Sequence, residues 1–174
     1  ILDAEGKPLP AGEIGEIAIR GPQVMKGYWN LPEATAAAMP GDGWFKSGDA
    51  GYLDADGYLY VHDRMKDMII SGAENVYPAE VENAIYGHPA VSEVAVIGVP
   101  SEKWGEEVKA IVALKPGHSA TEAEIIAWAG ERIAAFKAPK TVEFIEALPR
   151  NASGKILRRP LREPFWEGFE RRVN

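Results

Sequence analysis

The chain has 174 residues, no cysteine and a formal net charge of -7, and 46% of its residues are hydrophobic. This length and composition indicate a folded globular protein of one ordinary domain or two small ones. The lack of cysteine excludes disulfides, thiolate-based zinc sites and cysteine nucleophiles, and it suits a reducing cytoplasm. The acidic balance argues against nucleic-acid binding, and we find no apolar run long enough for a transmembrane segment and no secretion signal. Because the chain opens at Ile1 without Met, we expect a piece of a longer protein.

The first 63 residues are rich in strand and turn patterns. Ile14, Ile17 and Ile19 lie among polar residues and glycines, as in a short strand. Residues 53–61 place an Asp-Gly turn between two apolar arms, which predicts a β-hairpin. Residues 31–38 predict a short helix, because proline suits the first helical turn.

From about residue 65 the pattern changes to alternating helices and strands. Helices are predicted at residues 78–85 and 160–169, and β-branched strands at residues 91–99, 108–114 and 141–145. Thr121 and Glu124 have the spacing of a capping box, and the apolar stripe that follows is Ile125, Ile126, Ala129 and Ile133. Helices on one side of a small sheet give a two-layer α+β domain.

The boundary between the two patterns falls in the charged run at residues 63–67. Such a composition is typical of an exposed hinge, although a surface turn within one domain fits it equally well. The three histidines, His62, His88 and His118, are far apart and lack the spacing of metal ligands. We interpret these histidines as structural or surface residues.

Lys155 ends a short polar loop that a proline and a glycine bracket, at residues 149–155. A lysine held at a fixed point in a cleft would stabilise charge that develops only in a transition state. At about 4 Å and an effective dielectric constant of about 20, the attraction is on the order of 4 kcal/mol, or roughly a thousandfold in rate. Taken alone, the run is weak evidence, because a lysine after Ser-Gly is usually a solvated turn residue.

Four other places suggest ligand contacts, each beside a structural interpretation. Asp49 follows a glycine and could accept both hydroxyls of a ribose, or cap a turn. Ser71, Gly72 and Ala73 are small enough for close backbone contact with an extended ligand, and they also suit a tight turn. Trp104 in a polar loop could stack on a purine or pack on the sheet.

The segment from Phe136 to Lys140 sets an aromatic ring beside two lysines. This combination would suit a nucleotide 3′-phosphate and its base. It also suits a helix end where lysines favour the helix dipole.

Taken in order, these motifs closely resemble the adenylate-forming acyl-CoA synthetases, a superfamily that also contains luciferases and the adenylation domains of peptide synthetases. The motifs are Gly-Trp-Phe-Lys-Ser-Gly-Asp, Asp-Gly-Tyr-Leu-Tyr, Asp-Arg-Met-Lys-Asp, Ser-Gly-Ala-Glu-Asn-Val-Tyr-Pro-Ala-Glu-Val-Glu, and the proline loop ending in Gly-Lys. The resemblance covers essentially the whole chain and is strongest to the fatty and aryl acid:CoA ligases. It implies that ATP and a small-molecule carboxylic acid give an acyl-adenylate, and that CoA then displaces AMP to give the thioester.

The same resemblance implies roles for individual residues. Asp49 and Arg64 would hold the AMP ribose, Lys66 would be the hinge about which a C-terminal domain rotates, and Lys155 would serve adenylation. The residues implied for CoA binding are Ser71, Gly72, Ala73, Trp104, Phe136 and Lys140. Ala73 stands where relatives often have a second glycine, and Ala138 stands where some have a basic residue; both departures bear on CoA binding.

The resemblance also implies an organisation in two parts. Residues 1–64 would be the last, β-rich and barrel-like part of a large N-terminal AMP-binding domain, and that domain would be the partner of the rest. Residues 65–174 would be the mobile C-terminal domain, α+β with a small sheet and about three helices. The phosphate-binding loop and the acyl pocket are absent, so the chain alone is expected to be inactive. Mg2+ is expected for the full-length enzyme, with no ligand identified in this chain.

Two other functions remain open from the sequence. One is a peptide-synthetase-type adenylation domain that delivers to a carrier protein, which the lack of a following carrier motif disfavours. The other is a noncatalytic nucleotide- or CoA-binding module. The acid that would be activated cannot be deduced from these residues, although the motifs favour a fatty acid.

Overall fold

A computed structural model of the chain describes residues 1–169. The chain divides into two compact units, the first being Ile1–Met65 and the second beginning at Lys66. Over the described range, no helix combines the length and the apolar character needed to cross a membrane.

The first unit is built on an antiparallel sheet of three strands in the order β1-β2-β3. The strands are β1 (Gly15–Ile19), β2 (Phe45–Leu53) and β3 (Leu59–Arg64), and the short helix α1 is Pro32–Ala38. The predicted hairpin is confirmed, because Leu53 pairs with Leu59 across the turn. The expected barrel-like form is not found, because the three strands do not close on themselves; Leu2 forms a bridge with Glu16 at the outer edge of β1.

The second unit contains a five-stranded mixed sheet. Its strands are β4 (Ile69–Ser71), β5 (Glu74–Val76), β6 (Val91–Ser101), β7 (Gly105–Leu114) and β8 (Thr141–Phe144). The order is β5-β4-β7-β6, and β8 pairs with β7 in parallel. β6 pairs with β7 along its whole length and lies at the edge of the sheet.

Helices cover both faces of this sheet. The helices α2 (Pro78–Tyr86) and α3 (Glu122–Gly130) pack on the face to which Val94 and Val96 point. The alternate residues of β6 point to the opposite face, where Leu161 and Phe165 pack against them. The α+β class is therefore confirmed, but the second cover was not predicted. It comes from the short helix α4 (Arg158–Arg162) and the turn after it.

Two helix ends differ from the prediction. The capping box at Thr121 and Glu124 is present, but α3 ends at Gly130, so Ile133 packs on the core from beyond the helix. The long helix predicted at residues 160–169 is instead α4 followed by a 3-10 turn, Glu163–Phe165. Pro164 has no N–H group, so the α-helical hydrogen-bond ladder cannot continue through it.

Candidate functional site

Asp49 and Arg64, the predicted ribose pair, lie opposite each other on β2 and β3. The Arg64 Nε atom is 2.9 Å from Asp49 Oδ1, and both side chains are about a third to a half exposed. An ion pair this exposed contributes little to folding stability. Its effect is to hold the Asp49 carboxylate in one direction at the surface of the sheet, where a ligand hydroxyl could reach it.

The backbone before Asp49 departs from regular strand geometry. Glu16 and Ala18 on β1 are two positions apart, whereas their partners Ala50 and Lys46 on β2 are four positions apart. The extra residues form a bulge, and Gly48 within it has a φ of 73°. Since a bulge re-aims the side chains that it carries, Gly48 is the residue that permits the orientation of Asp49.

The predicted small-residue loop is a tight hairpin turn between β4 and β5. Ser71 pairs with Glu74, and the two residues between them, Gly72 and Ala73, have φ values of 61° and 71°. Left-handed conformation at both central positions defines a type I′ turn. The turn interpretation is therefore confirmed, and β5 is an additional strand that the sequence did not predict.

Trp104 lies directly beside this turn. The Gly72 N–H donates to the Trp104 carbonyl at 2.9 Å, and a Cβ atom on Gly72 would lie 2.6 Å from Trp104 Cε3. Gly72 therefore allows the indole ring to lie against the backbone. The ring remains 44% exposed, with the Lys103 ammonium 4.5 Å from its centroid.

A cavity of about 480 Å³ connects Ala73 with Trp104. Its remaining lining includes Glu106, which is 4% exposed and accepts the Ile70 N–H at 3.4 Å. Two aromatic residues that sequence reasoning did not single out, Trp166 and Phe169, also line the cavity. Their place on the cavity depends on how the segment after α4 folds back, for which the sequence gives no signal.

Phe136 and Lys140 are in a different position from Trp104. Both belong to the turns that follow α3, and neither lines the cavity. Phe136 is 42% exposed, and the Lys140 Nζ atom donates to the Ala135 carbonyl at 3.3 Å. Ala138, in between, is buried. The structure therefore joins three of the predicted CoA residues to Trp104 and leaves Phe136 and Lys140 on a separate turn.

Lys155 is carried by a closed loop with many internal hydrogen bonds. The Asn151 side-chain oxygen accepts the N–H groups of Ser153 and Lys155, and the Asn151 N–H donates to the Lys155 carbonyl. The loop is closed below by the Leu157 N–H, which donates to the Pro149 carbonyl. The Lys155 side chain is exposed, and no ion pair with its ammonium group occurs among residues 1–169. The loop thus fixes the backbone and leaves the cation available to an external anion.

Lys66, the predicted hinge, is the central residue of the 3-10 turn Met65–Asp67. This turn stands where the first compact unit ends and the second begins. Asp67, the last residue of the motif Asp-Arg-Met-Lys-Asp, was given no role by the sequence; its carboxylate faces Arg158 and Arg162. As to metals, no group of three His, Asp or Glu residues in the described part of the chain could hold an ion.

Two family matches accompany this geometry. Residues 80–155 match the AMP-binding enzyme C-terminal domain, and residues 1–29 match the AMP-binding enzyme family. The two matches lie on either side of the turn that contains Lys66.

Curated relatives match over most or all of the chain. It is 48% identical over its whole length to a fatty acid–[acyl-carrier-protein] ligase of Streptomyces coeruleorubidus, and it covers 33% of that protein. It is 55% identical over 92% of its length to a feruloyl-CoA synthase of Amycolatopsis sp, covering 32% of that protein. A long-chain-fatty-acid–CoA ligase of Mycobacterium tuberculosis is 54% identical over 87% of the chain, which covers 30% of it. The chain spans about a third of the length of these relatives.

Solved structures of such enzymes have the same fold. ATP-bound MatB from Rhodopseudomonas palustris superposes with a TM-score of 0.89 at 42% identity, over 97% of this chain and 34% of that one. The o-succinylbenzoate CoA synthetase of Bacillus subtilis, in complex with its acyl-adenylate intermediate, gives a TM-score of 0.85 at 44% identity, over 92% of this chain and 32% of that one. This chain belongs to the AMP-binding enzymes and carries their C-terminal domain.

Proposed function

We propose that this chain is the C-terminal third of an ATP-dependent carboxylic acid:CoA ligase, which forms an acyl-adenylate and then a thioester. The observation that carries the proposal is the Lys155 loop, a rigid closed loop that presents a single exposed ammonium group. The chain's relatives include ligases of this type, which supports the assignment. The chain alone is expected to make no thioester, because it spans only about a third of those relatives.

We propose the following division of the chain within that ligase. Residues 1–64 complete a large N-terminal AMP-binding domain, and residues 65–174 are a mobile domain that rotates about Lys66 between the two half-reactions. The change of compact unit after Met65 supports this division. So do the two family matches on either side of it.

The residues would then act as follows. Asp49, fixed by Arg64, accepts the ribose hydroxyls of ATP and of the adenylate. The Lys155 ammonium neutralises charge on the oxygens around the α-phosphate as the carboxylate of the acid attacks the phosphorus and pyrophosphate leaves. A fixed cation accelerates a reaction most where charge develops only in the transition state. Mg2+, expected with ATP, would compensate phosphate charge; residues 1–169 contain no group of three histidine or carboxylate side chains placed to hold it.

For the second half-reaction we propose that the thiol of CoA approaches along the turn at Gly72 and Ala73. Trp104 beside this turn offers an exposed flat face for the adenine base. Ser71, Phe136 and Lys140 are proposed as further CoA contacts. A carrier protein is the second candidate acceptor, because one relative, 48% identical, is an acyl-carrier-protein ligase. We also propose a fatty acid as the substrate and a cytoplasmic location.

The test is Lys155→Ala in the full-length ligase, with each half-reaction measured separately. We expect the rate of adenylation, measured by ATP–pyrophosphate exchange, to fall by roughly a hundred- to a thousandfold. The reason is that a charge pair near 4 Å is worth on the order of 4 kcal/mol. Thioester formation from preformed acyl-adenylate should stay close to the unmodified rate. Lys115→Ala is the control, because Lys115 binds the Pro89 carbonyl in another part of the unit. Equal losses in both steps would remove Lys155 from this role.

A further inference from the structure

We infer that Asp67 and Arg158 are positioning residues that tie the loop of Lys155 to the turn of Lys66. The inference rests on the proposed function, since it concerns the same adenylation step. The ion pairs concerned include Asp67 and Glu82, which belong to the sequence motifs but have no role in the proposed ligand contacts. The cluster, called here the Arg158 cluster, consists of Asp67, Glu82, Arg158 and Arg162.

Arg158 binds two carboxylates at once. Its Nε and Nη2 atoms donate to the two oxygens of Glu82 at 3.1 and 2.7 Å, which is a bidentate pair. Its third nitrogen, Nη1, is 3.5 Å from Asp67 Oδ2. The other oxygen of Asp67 is 3.6 Å from Arg162 Nη1. All four side chains are less than a quarter exposed, so this cluster is less screened than a surface ion pair.

Glu82 is anchored independently of Asp67. It lies in α2, and its Oε1 atom accepts the Val96 N–H at 2.8 Å from the edge strand β6. The Arg158–Glu82 pair is therefore sufficient to fasten the start of α4 to the core. The contact with Asp67 adds a link to the backbone of the 3-10 turn, at the residue directly after Lys66.

The other end of the Lys155 loop is held by a second arginine. Arg150 donates from Nη2 to Glu93 Oε1 on β6 and from Nη1 to the Gly154 carbonyl within the loop. Arg158 is three residues beyond Lys155, so an arginine–carboxylate pair fixes each end of the loop. The pair at the Arg158 end extends to the turn of Lys66 through Asp67.

A mechanical consequence follows for the two half-reactions. When the backbone changes at Lys66, Asp67 moves with the second unit, and Arg158 keeps the loop of Lys155 at a fixed distance from the pivot. Without the Asp67 charge, the Lys155 loop would still be anchored to the core, but its position relative to Lys66 would no longer be fixed. A displacement of the order of 1 Å at a reacting group can cost roughly a hundredfold in rate.

The experiment uses the full-length ligase with Asp67→Asn, which keeps the shape of the side chain and removes its charge. We expect adenylation to slow by about ten- to a hundredfold, while thioester formation from preformed acyl-adenylate stays close to the unmodified rate. Asp67→Glu should restore most of the adenylation rate. The control is Arg159→Ala, because Arg159 is 81% exposed and pairs with Glu163, the residue directly after α4; it should leave both steps unchanged.

The decisive measurement repeats Asp67→Asn in a Lys155→Ala background. If Asp67 acts through Lys155, the second substitution should slow adenylation no further. The same loss in both backgrounds, or no loss from Asp67→Asn alone, would overturn the inference while leaving the role of Lys155 intact. If Lys155→Ala itself leaves adenylation unchanged, the proposed function fails instead. Melting temperatures of all variants separate these outcomes from unfolding.

Discussion

Ala73 occupies a backbone conformation that disfavours any residue with a Cβ atom. Its φ of 71° is in the left-handed region, which costs a non-glycine residue roughly 1–2 kcal/mol. A cavity lies directly against it, and Trp104 lines the same cavity. The strained methyl group therefore stands where the proposed thiol path runs.

We predict that Ala73→Gly raises the free energy of unfolding by about 0.5–1 kcal/mol. Relief of the left-handed strain exceeds the added entropy of glycine in the unfolded chain. The measurement is urea unfolding of the chain, followed by tryptophan fluorescence. Gly72→Ala is the matched comparison and should destabilise, because its Cβ atom would meet the Trp104 ring at 2.6 Å. A less stable Ala73→Gly variant would show that alanine stabilises the turn by more than its left-handed φ angle costs.

We also predict that Trp104→Ala and Phe136→Ala in the full-length ligase each raise the KM for CoA about tenfold, with the KM for ATP nearly unchanged. Stacking of a base on an aromatic ring is worth roughly 1–3 kcal/mol. Both rings are about two-fifths exposed, so each has a face available to a base. A lower melting temperature with an unchanged KM for CoA would instead make them packing residues, and Trp104 against Gly72 is the one with more packing to lose.

At the scale of elements, the sequence predicted the helices and strands that have long, periodic patterns of apolar residues. β6, β7, α2 and α3 were placed within a few residues, because their β-branched runs and their cap and proline signals are local. β5 was missed, since three residues carry no readable period. The cover of the opposite face was not predicted, because the pattern of residues 160–169 does not show on which side of the sheet Leu161 and Phe165 pack. The helix predicted there is also shorter than expected, since Pro164 lies in the 3-10 turn that follows α4.

The candidate site divides in the same way. A carboxylate, an arginine and a lysine loop could be named from motifs, but the Asp49–Arg64 contact depends on strand register, which a motif does not specify. The Arg158 cluster joins residues 91 positions apart, from Asp67 to Arg158. Nothing local marks such a pair, because an arginine in a basic run is usually solvated. The same holds for Trp166 in the lining of the cavity.

The capping box of α3 gives a prediction with a defined pH dependence. Hydrogen bonds from the Thr121 backbone N–H, and then from the Thr121 hydroxyl, hold the pKa of Glu124 below its usual value of 4.5. Because the pKa of Glu124 is lower in the folded state, its carboxylate contributes fully to the stability of the fold at pH values above the pKa of the unfolded chain. This contribution is lost as the pH falls through the pKa of the folded state.

Glu124→Gln should therefore reduce the free energy of unfolding at pH 7, and the difference from the unmodified chain should shrink at pH 3. Glutamine retains the acceptor oxygen of the capping box and removes only the charge. Urea unfolding at both pH values, followed by circular dichroism, measures the two differences. A difference that is the same at both values would assign the effect to the altered hydrogen bond and not to the carboxylate charge.

At the scale of the whole molecule, the chain changes from one compact unit to the next within a single turn, Met65–Asp67. The turn contains the cation Lys66 and the anion Asp67. The Asp67 carboxylate pairs with Arg158 and Arg162 of the second unit. In the proposed rotation about Lys66, the Asp67 carboxylate and the Lys155 loop therefore belong to the same unit. Any pivot closer to Lys155 would have to break the Arg158 cluster.

We predict that Lys66→Pro in the full-length ligase spares adenylation and blocks thioester formation. Proline fixes φ near -65°, a value within the range of a 3-10 turn, so the turn found here should persist while other angles are excluded. Measuring pyrophosphate exchange and the transfer from preformed acyl-adenylate to CoA separates the two half-reactions. Lys66→Ala is the control, because it removes the charge and leaves φ free; it should retain both steps. Normal turnover of CoA by the proline variant would show that the rotation, if it occurs, does not take place at Lys66.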